Sequence, residues 1–188
     1  MTKTNRTNQV SKQARTEQRR AHAEKQKMWR KILWIVGATI LLIVIILAFA
    51  TRPPLPGESV KVMSDQSHIS DASSPHDQYN SDPPTSGQHV TYSAPWGIHK
   101  EPLDNEVLVH NLEDGGIVIY YNKQIDEITI SNLETIVEKY PESVIVNPYP
   151  EMKNAITLTA WGRIDRLDSF EQKRIVDFIS AFKGKDHH

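Results

Sequence analysis

The residues of this chain best able to do chemistry are its histidines. Seven of the eight, His68, His76, His89, His99, His110, His187 and His188, follow a single long apolar run, and there is no cysteine. Any transition-metal site must then combine imidazole with carboxylate, a donor set that suits zinc or copper. Without thiols, disulfides, lipoprotein anchoring and cysteine chemistry are all excluded. His110 is the most informative of the seven. It falls among apolar residues, where a polar ring needs a hydrogen-bond partner or a ligand. His110 and Glu113 have H-x-x-E spacing, which aligns two ligands on a helix. Ser86 lies close to His89, so a hydrolase using His89 or His110 with a nearby carboxylate is a third-ranked reading. The local alternative for Ser86 is a turn stabilised by Ser and Thr hydroxyls. There is no dinucleotide or Walker glycine loop, no H-E-x-x-H and no nucleophile elbow.

The elements that position these residues follow from periodicity. Val107 to Leu112 and Ile117 to Tyr121 are β-rich runs on either side of Asp114-Gly115, a favoured two-residue turn, and predict a hairpin. On a strand the H-x-x-E geometry is lost. Ser131 to Glu134 has the form of a capping box and predicts a helix to about Tyr140. Ser143 to Asn147 reads as a strand. Ala155 to Trp161 alternates, with Ile156, Leu158 and Ala160 on one face. Asp168 and Glu171 precede the apolar stripe Phe170, Ile175, Phe178, Ile179 and Phe182, which Gly184 closes. The order is ββαββα: an α+β domain with two helices packed on a small mixed sheet. Ser70 to Gly97 is rich in Ser, Pro, Asp and Gly. It also carries Tyr79, Tyr92 and Trp96, and so is expected to be an ordered loop over the core.

Charge and hydropathy divide the chain. Residues 1 to 52 carry eleven Lys and Arg against Glu17 and Glu24, whereas residues 53 to 188 carry eleven against twenty-one acids. Ile32 to Ala50 is a run of nineteen uncharged residues, long enough as a helix to span about 28 Å, close to the hydrocarbon thickness of a bilayer. Trp29 and Trp34 sit at its start, where indoles favour the interface. Seven basic residues between Arg15 and Lys31 precede the run and only Arg52 follows it, which predicts a cytoplasmic N-terminus. Cleavage after the small-x-small sequence Ala48-Phe49-Ala50 is the alternative to an uncleaved anchor. The expected organisation is a basic tail (1–31), a membrane helix (32–50), a linker (51–66), an extracytoplasmic domain (67–184) and a flexible end (185–188). An acidic outer domain argues against nucleic acid as partner.

Several motifs occur together in order: Gln66, His68 and Ile69; Tyr79 to His89 (Y-N-S-D-P-P-T-S-G-Q-H); Trp96-Gly97; Leu108 to Gly116 (L-V-H-N-L-E-D-G-G); and Leu158 to Arg163 (L-T-A-W-G-R). In these the chain resembles, over about residues 60 to 183, the bacterial membrane-anchored domain-of-unknown-function family thirty-one-oh-five. The resemblance implies an anchored domain and brings no activity. It singles out His68, His89 and His110 as lying in family motifs, and with Asp114 they make a possible three-histidine, one-carboxylate site for copper or zinc. Asp114 stands where the family pattern has a histidine, and its harder oxygen disfavours copper(I).

The sequence reading thus favours a non-catalytic binding or scaffold module of the cell envelope. Tyr79, Tyr92 and Trp96 would be its contact surface, for a cell-envelope protein or polymer. Metal binding is the alternative. The spacing of His68, His89 and His110 in space is the observation that separates the two.

Overall fold

A computed structural model describes residues 3–51 and 54–187, leaving Met1, Thr2, Arg52, Pro53 and His188 outside the described residues. The chain forms two compact units, residues 1–54 and 55–188. The first is helix α1 (Lys3–Ala50), which continues without a break from the charged tail into the apolar run. Its segment Glu24–Ala50 is long and apolar enough to cross a membrane, and the large side chains there are exposed. A signal sequence near an N-terminus has the same length and composition.

The second unit is α+β. A six-stranded mixed sheet runs β1 (Glu58–Ser59), β8 (Arg163–Leu167), β7 (Ile156–Ala160), β5 (Ile117–Tyr121), β6 (Val144–Pro148) and β4 (Gly97–Ile98). β5 and β6 are parallel, joined by the crossover helix α3 (Glu127–Val137), whereas β5, β7, β8 and β1 are successively antiparallel. The alternation expected in β7 is present. Ile156, Leu158 and Ala160 join Ile117, Ile119, Val144 and Val146 in one apolar layer, covered by α3 and by α4 (Gln172–Phe182) through Leu133, Ile175, Phe178 and Ile179. Val118, Tyr120 and Ile145 face the other way. Over them lie Leu108 and Leu112 of helix α2 (Asn105–Glu113), with Ala94 and Met152. A sheet covered on both faces explains why the central parallel strands β5 and β6 open on continuous apolar runs.

Four local expectations change. Val107 to Leu112 belongs to α2 and is not a strand. Asp-Gly suits a hairpin turn and equally a helix end, and here it ends the helix: the Gly115 N–H donates to Leu112 O and the Gly116 N–H to Asn111 O, with Gly115 at φ +80°. Helix α3 starts earlier than expected, because Asp126 accepts the Thr129 N–H at 2.8 Å and caps it. Ser131 lies inside the helix, where its carbonyl accepts from Thr135 Oγ1. Before α4, Asp168 accepts from Asn154 Nδ2 and does not cap the helix. The segment expected as a linker contains β1, and Val60 N–H donates to Gly162 O.

The loop from Ser70 to Gly97 lies over the core as expected. Within it Pro83, Pro84, Thr85, Ser86 and Gly87 are all buried, and Asp82-Pro83 is cis. Its end, β3 (His89–Val90), pairs in parallel with β2 (His68–Ile69) to make a separate two-stranded sheet beside α2.

Candidate metal centre

The pairing of β2 with β3 sets His68 directly opposite His89 and Ile69 opposite Val90. Side chains alternate along a strand, so burying Ile69 and Val90 turns both imidazoles to the other face. Their ring centroids are 4.9 Å apart and their planes nearly perpendicular.

Helix α2 supplies the rest. Its buried residues Leu108, Val109, Asn111 and Leu112 form a stripe against the sheet and the loop. Asn111 clamps the loop by accepting the Ala94 N–H at 2.8 Å and donating to the Ala94 carbonyl at 3.0 Å. With that face fixed, His110 and Glu113, three residues apart, project from one side of the helix. The His110 ring lies 5.6 Å from that of His68 and 5.3 Å from that of His89. Glu113 Oε2 is 2.9 Å from His89 Nε2 and 3.9 Å from His68 Nε2. One ligand atom from each of His68, His89, His110 and Glu113 falls within 4.8 Å of the others.

His89 is fully buried and its ring is oriented from behind. Its Nδ1 lies 2.7 Å from Gly87 O. A carbonyl only accepts, so Nδ1 carries the proton and Nε2 faces the cluster. This is the arrangement by which outer-shell groups orient metal-binding histidines. The glycine is required by its surroundings: at φ +130°, a Cβ on Gly87 would come within 2.8 Å of Met63 Sδ and 2.9 Å of the Tyr79 ring. Burial pushes the His110 imidazole below its ordinary pKa of 6.5, an effect that Asp114 opposes and the neighbouring His89 and His68 reinforce. The neutral form is the one that binds metal. His68 is the exposed member, its side chain 45% accessible, and leaves the cluster an approach from solvent.

The other sequence-predicted residues fall as follows. Asp114 caps the C-terminus of α2, with Oδ2 3.8 Å from His110 Nε2; the carboxylate within the four-residue group is Glu113. A strand over Val107 to Leu112 would turn Glu113 away from His110; the i, i+4 pair Leu108 and Leu112 is the sequence signal for the helix that brings them together. Ser86 Oγ accepts the N–H of Met63, twenty-three residues earlier, at 3.0 Å, which ties the loop to the segment after β1 and is not a local turn bond. Tyr79 donates its hydroxyl to Gln88 O, and Trp96 packs with the apolar layer that includes Leu108 and Val118. Of the three loop aromatics, Tyr92 alone is exposed. His76 pairs with Glu106 at 3.0 Å, and among the described residues no second imidazole joins them in a metal-sized group; His99 bonds Pro95 O. His187, expected to fray, packs instead. Its ring stacks on Trp161 at 5.8 Å, its N–H donates to Glu113 O, and Trp161 turns its edge to His89.

Fold and site together define a class: an α+β domain, behind an apolar N-terminal helix, that gathers three imidazoles and one carboxylate between a helix and a two-stranded ribbon. The chain belongs to the family described as "Protein of unknown function (DUF3105)", which matches residues 72–188. His89, His110 and Glu113 lie inside the matched segment, and His68 just before it. No curated protein and no solved structure matches the chain.

Proposed function

We propose that the outer unit is a metal-binding domain, held at a membrane by α1, with His68, His89, His110 and Glu113 as the ligands of one zinc or copper(II) ion. The observation that carries this reading is the contact between His89 Nε2 and Glu113 Oε2. The Gly87 carbonyl places a proton on Nδ1 and turns Nε2 toward a carboxylate oxygen at 2.9 Å. A contact that close needs a cation, either a proton or a metal ion, between the two atoms. At the His76–Glu106 pair, which has the same arrangement, a proton serves, because among the described residues no further ligand group joins that imidazole and carboxylate. At Glu113 three imidazoles converge on the carboxylate, and one metal ion satisfies all four donors. Three nitrogens and one oxygen form a borderline-to-hard set, favouring zinc or copper(II) over copper(I). The scaffold reading has less support, because Tyr79 and Trp96 are engaged in packing.

For topology, we take the tail as cytoplasmic and the acidic unit as extracytoplasmic, on the excess of basic residues before the apolar run. The absence of cysteine makes this easy to test. A cysteine placed at Ser64 should react with a membrane-impermeant maleimide on intact cells, and one placed at Ser11 should not. The reverse labelling would invert the assignment.

The test of metal binding uses the full chain in detergent, stripped with chelator and reloaded with zinc or copper(II). One equivalent should bind. Thermal stability should rise with metal concentration, by about 2.7 kcal/mol at a hundredfold excess over Kd. His110→Ala and Glu113→Gln should each weaken binding by at least tenfold, and His99→Ala should not. Metal content in His110→Ala equal to that of the wild type would remove His110 from the site.

A further inference from the structure

Beside the histidine cluster, on the far side of Trp161, is a second feature that the metal reading does not use. A cavity of about 190 Å³, partly open to solvent, is lined by Trp161, Ala160 and Phe182, with Arg163, Lys185 and His187 among its polar residues. No acidic residue lines it, although residues 53 to 188 carry twenty-one acids against eleven Lys and Arg. Asp186 and Glu113 act on His187 electrostatically, but neither reaches the cavity wall.

The two cations are placed rather than scattered. Arg163 Cζ lies 5.2 Å and Lys185 Nζ 5.1 Å from the centre of the same Phe182 ring. Of the three arginines in this unit, Arg174 pairs with Asp165 and Arg166 with Glu58, whereas among the described residues Arg163 meets no carboxylate. Its Nη2 is held by the carbonyls of Leu55, Pro56 and Gly57, which fixes the guanidinium, while its Nε is buried without a hydrogen-bond partner. Two like charges over one ring, with an unused buried donor, are electrostatically incomplete.

The geometry points to a binding site for a small aromatic carboxylate. Its ring would lie between Trp161 and Phe182, and its carboxylate would meet Arg163 and Lys185. The size agrees: an apolar cavity of roughly 150 Å³ holds benzene, and drug-sized pockets start near 300 Å³. Offset or edge-on contact with two aromatic walls favours a flat apolar body. None of the four proposed metal ligands lines the site, although two of its wall residues touch them: Trp161 packs on His89 and the His187 N–H donates to Glu113 O.

The experiment is a calorimetric titration of the chelator-treated full chain in a neutral detergent with benzoate, and with benzamide as its uncharged counterpart. Benzoate should saturate one site, with benzamide at least tenfold weaker. Lys185→Glu, an exposed change outside the core, should weaken benzoate at least tenfold, and Lys139→Glu, exposed elsewhere, should leave it unchanged. Equal binding of benzamide, unaltered benzoate binding by Lys185→Glu, or no saturable binding of benzoate would each overturn the assignment. Because the titration is done without metal, failure here leaves the metal reading untouched, and failure to bind zinc or copper leaves this one untouched.

Discussion

Glu113 Oε2 lies 2.9 Å from the Nε2 of His89, a residue twenty-four positions earlier in the chain, and the opposite nitrogen of that ring is bonded to Gly87 O. The contact joins the end of a helix to the start of a two-residue strand. It exists because Asn111 ties α2 to the loop and because Gly87 lets the loop turn sharply enough to orient His89. The site therefore depends on how the loop is held as much as on its four donors.

The acid sensitivity of the domain should report His110. Burial lowers its pKa in the folded state below the ordinary 6.5. A histidine shifted downward favours folding above the unfolded value, and that contribution is lost as pH falls from 6.5 through the folded value. In chelator, the unfolding temperature should drop between pH 7.5 and pH 5, and less steeply for His110→Gln. Metal affinity should fall over the same interval, since protons compete for the imidazoles. A pH profile of unfolding unaltered by the substitution would show that His110 titrates as it does unfolded.

Gly116 is a packing requirement rather than a turn requirement. A Cβ there would meet the Trp96 ring at 2.5 Å and Asn111 O at 2.6 Å, and the second neighbour is backbone. Gly116→Ala should cost about 1 to 3 kcal/mol. It should also loosen Asn111, so the variant should bind metal more weakly than its stability loss alone explains. Chemical denaturation with parallel metal titration measures both. Wild-type values for each would mean that Trp96 and α2 move aside freely.

The start of α3 offers a direct contest between two caps. Asp126 accepts the Thr129 N–H, and hydrogen bonds from the Thr129 side chain and backbone hold its carboxyl below the usual 3.8. Asp126→Ala should lower the melting temperature by a few degrees at pH 7, and Ser131→Ala should change it little. A carboxylate with a lowered pKa stabilises above its unfolded value and loses that effect as pH falls through the folded one. The gap between wild type and Asp126→Ala should therefore narrow as the pH is taken below 3.8. A larger effect from Ser131→Ala would restore the capping box at Ser131.

Much of the architecture is local and was legible in the sequence. The uncharged run from Ile32 to Ala50, the strands Ile117–Tyr121 and Ile156–Ala160 and the stripe of α4 follow from composition and period, since each records which face meets solvent or lipid. The family resemblance also singled out His68, His89 and His110. What could not be read is whether Val107 to Leu112 is strand or helix. Its β-branched residues and the following Asp-Gly satisfy both, and the decision is made by Leu108 and Leu112 burying on Tyr120 and Val118. That tertiary choice also decides the chemistry. On a strand, Glu113 would point away from His110 and Asp114 would be the plausible acid; on a helix, His110 and Glu113 share a face. The edge strands of two residues, the pairing of His68 with His89 and the return of Lys185 and His187 against Gly115 and Glu113 are likewise tertiary, because segments that short carry no period of their own. The sequence by itself determined which residues could bind a metal; only the packed fold decided which of them meet.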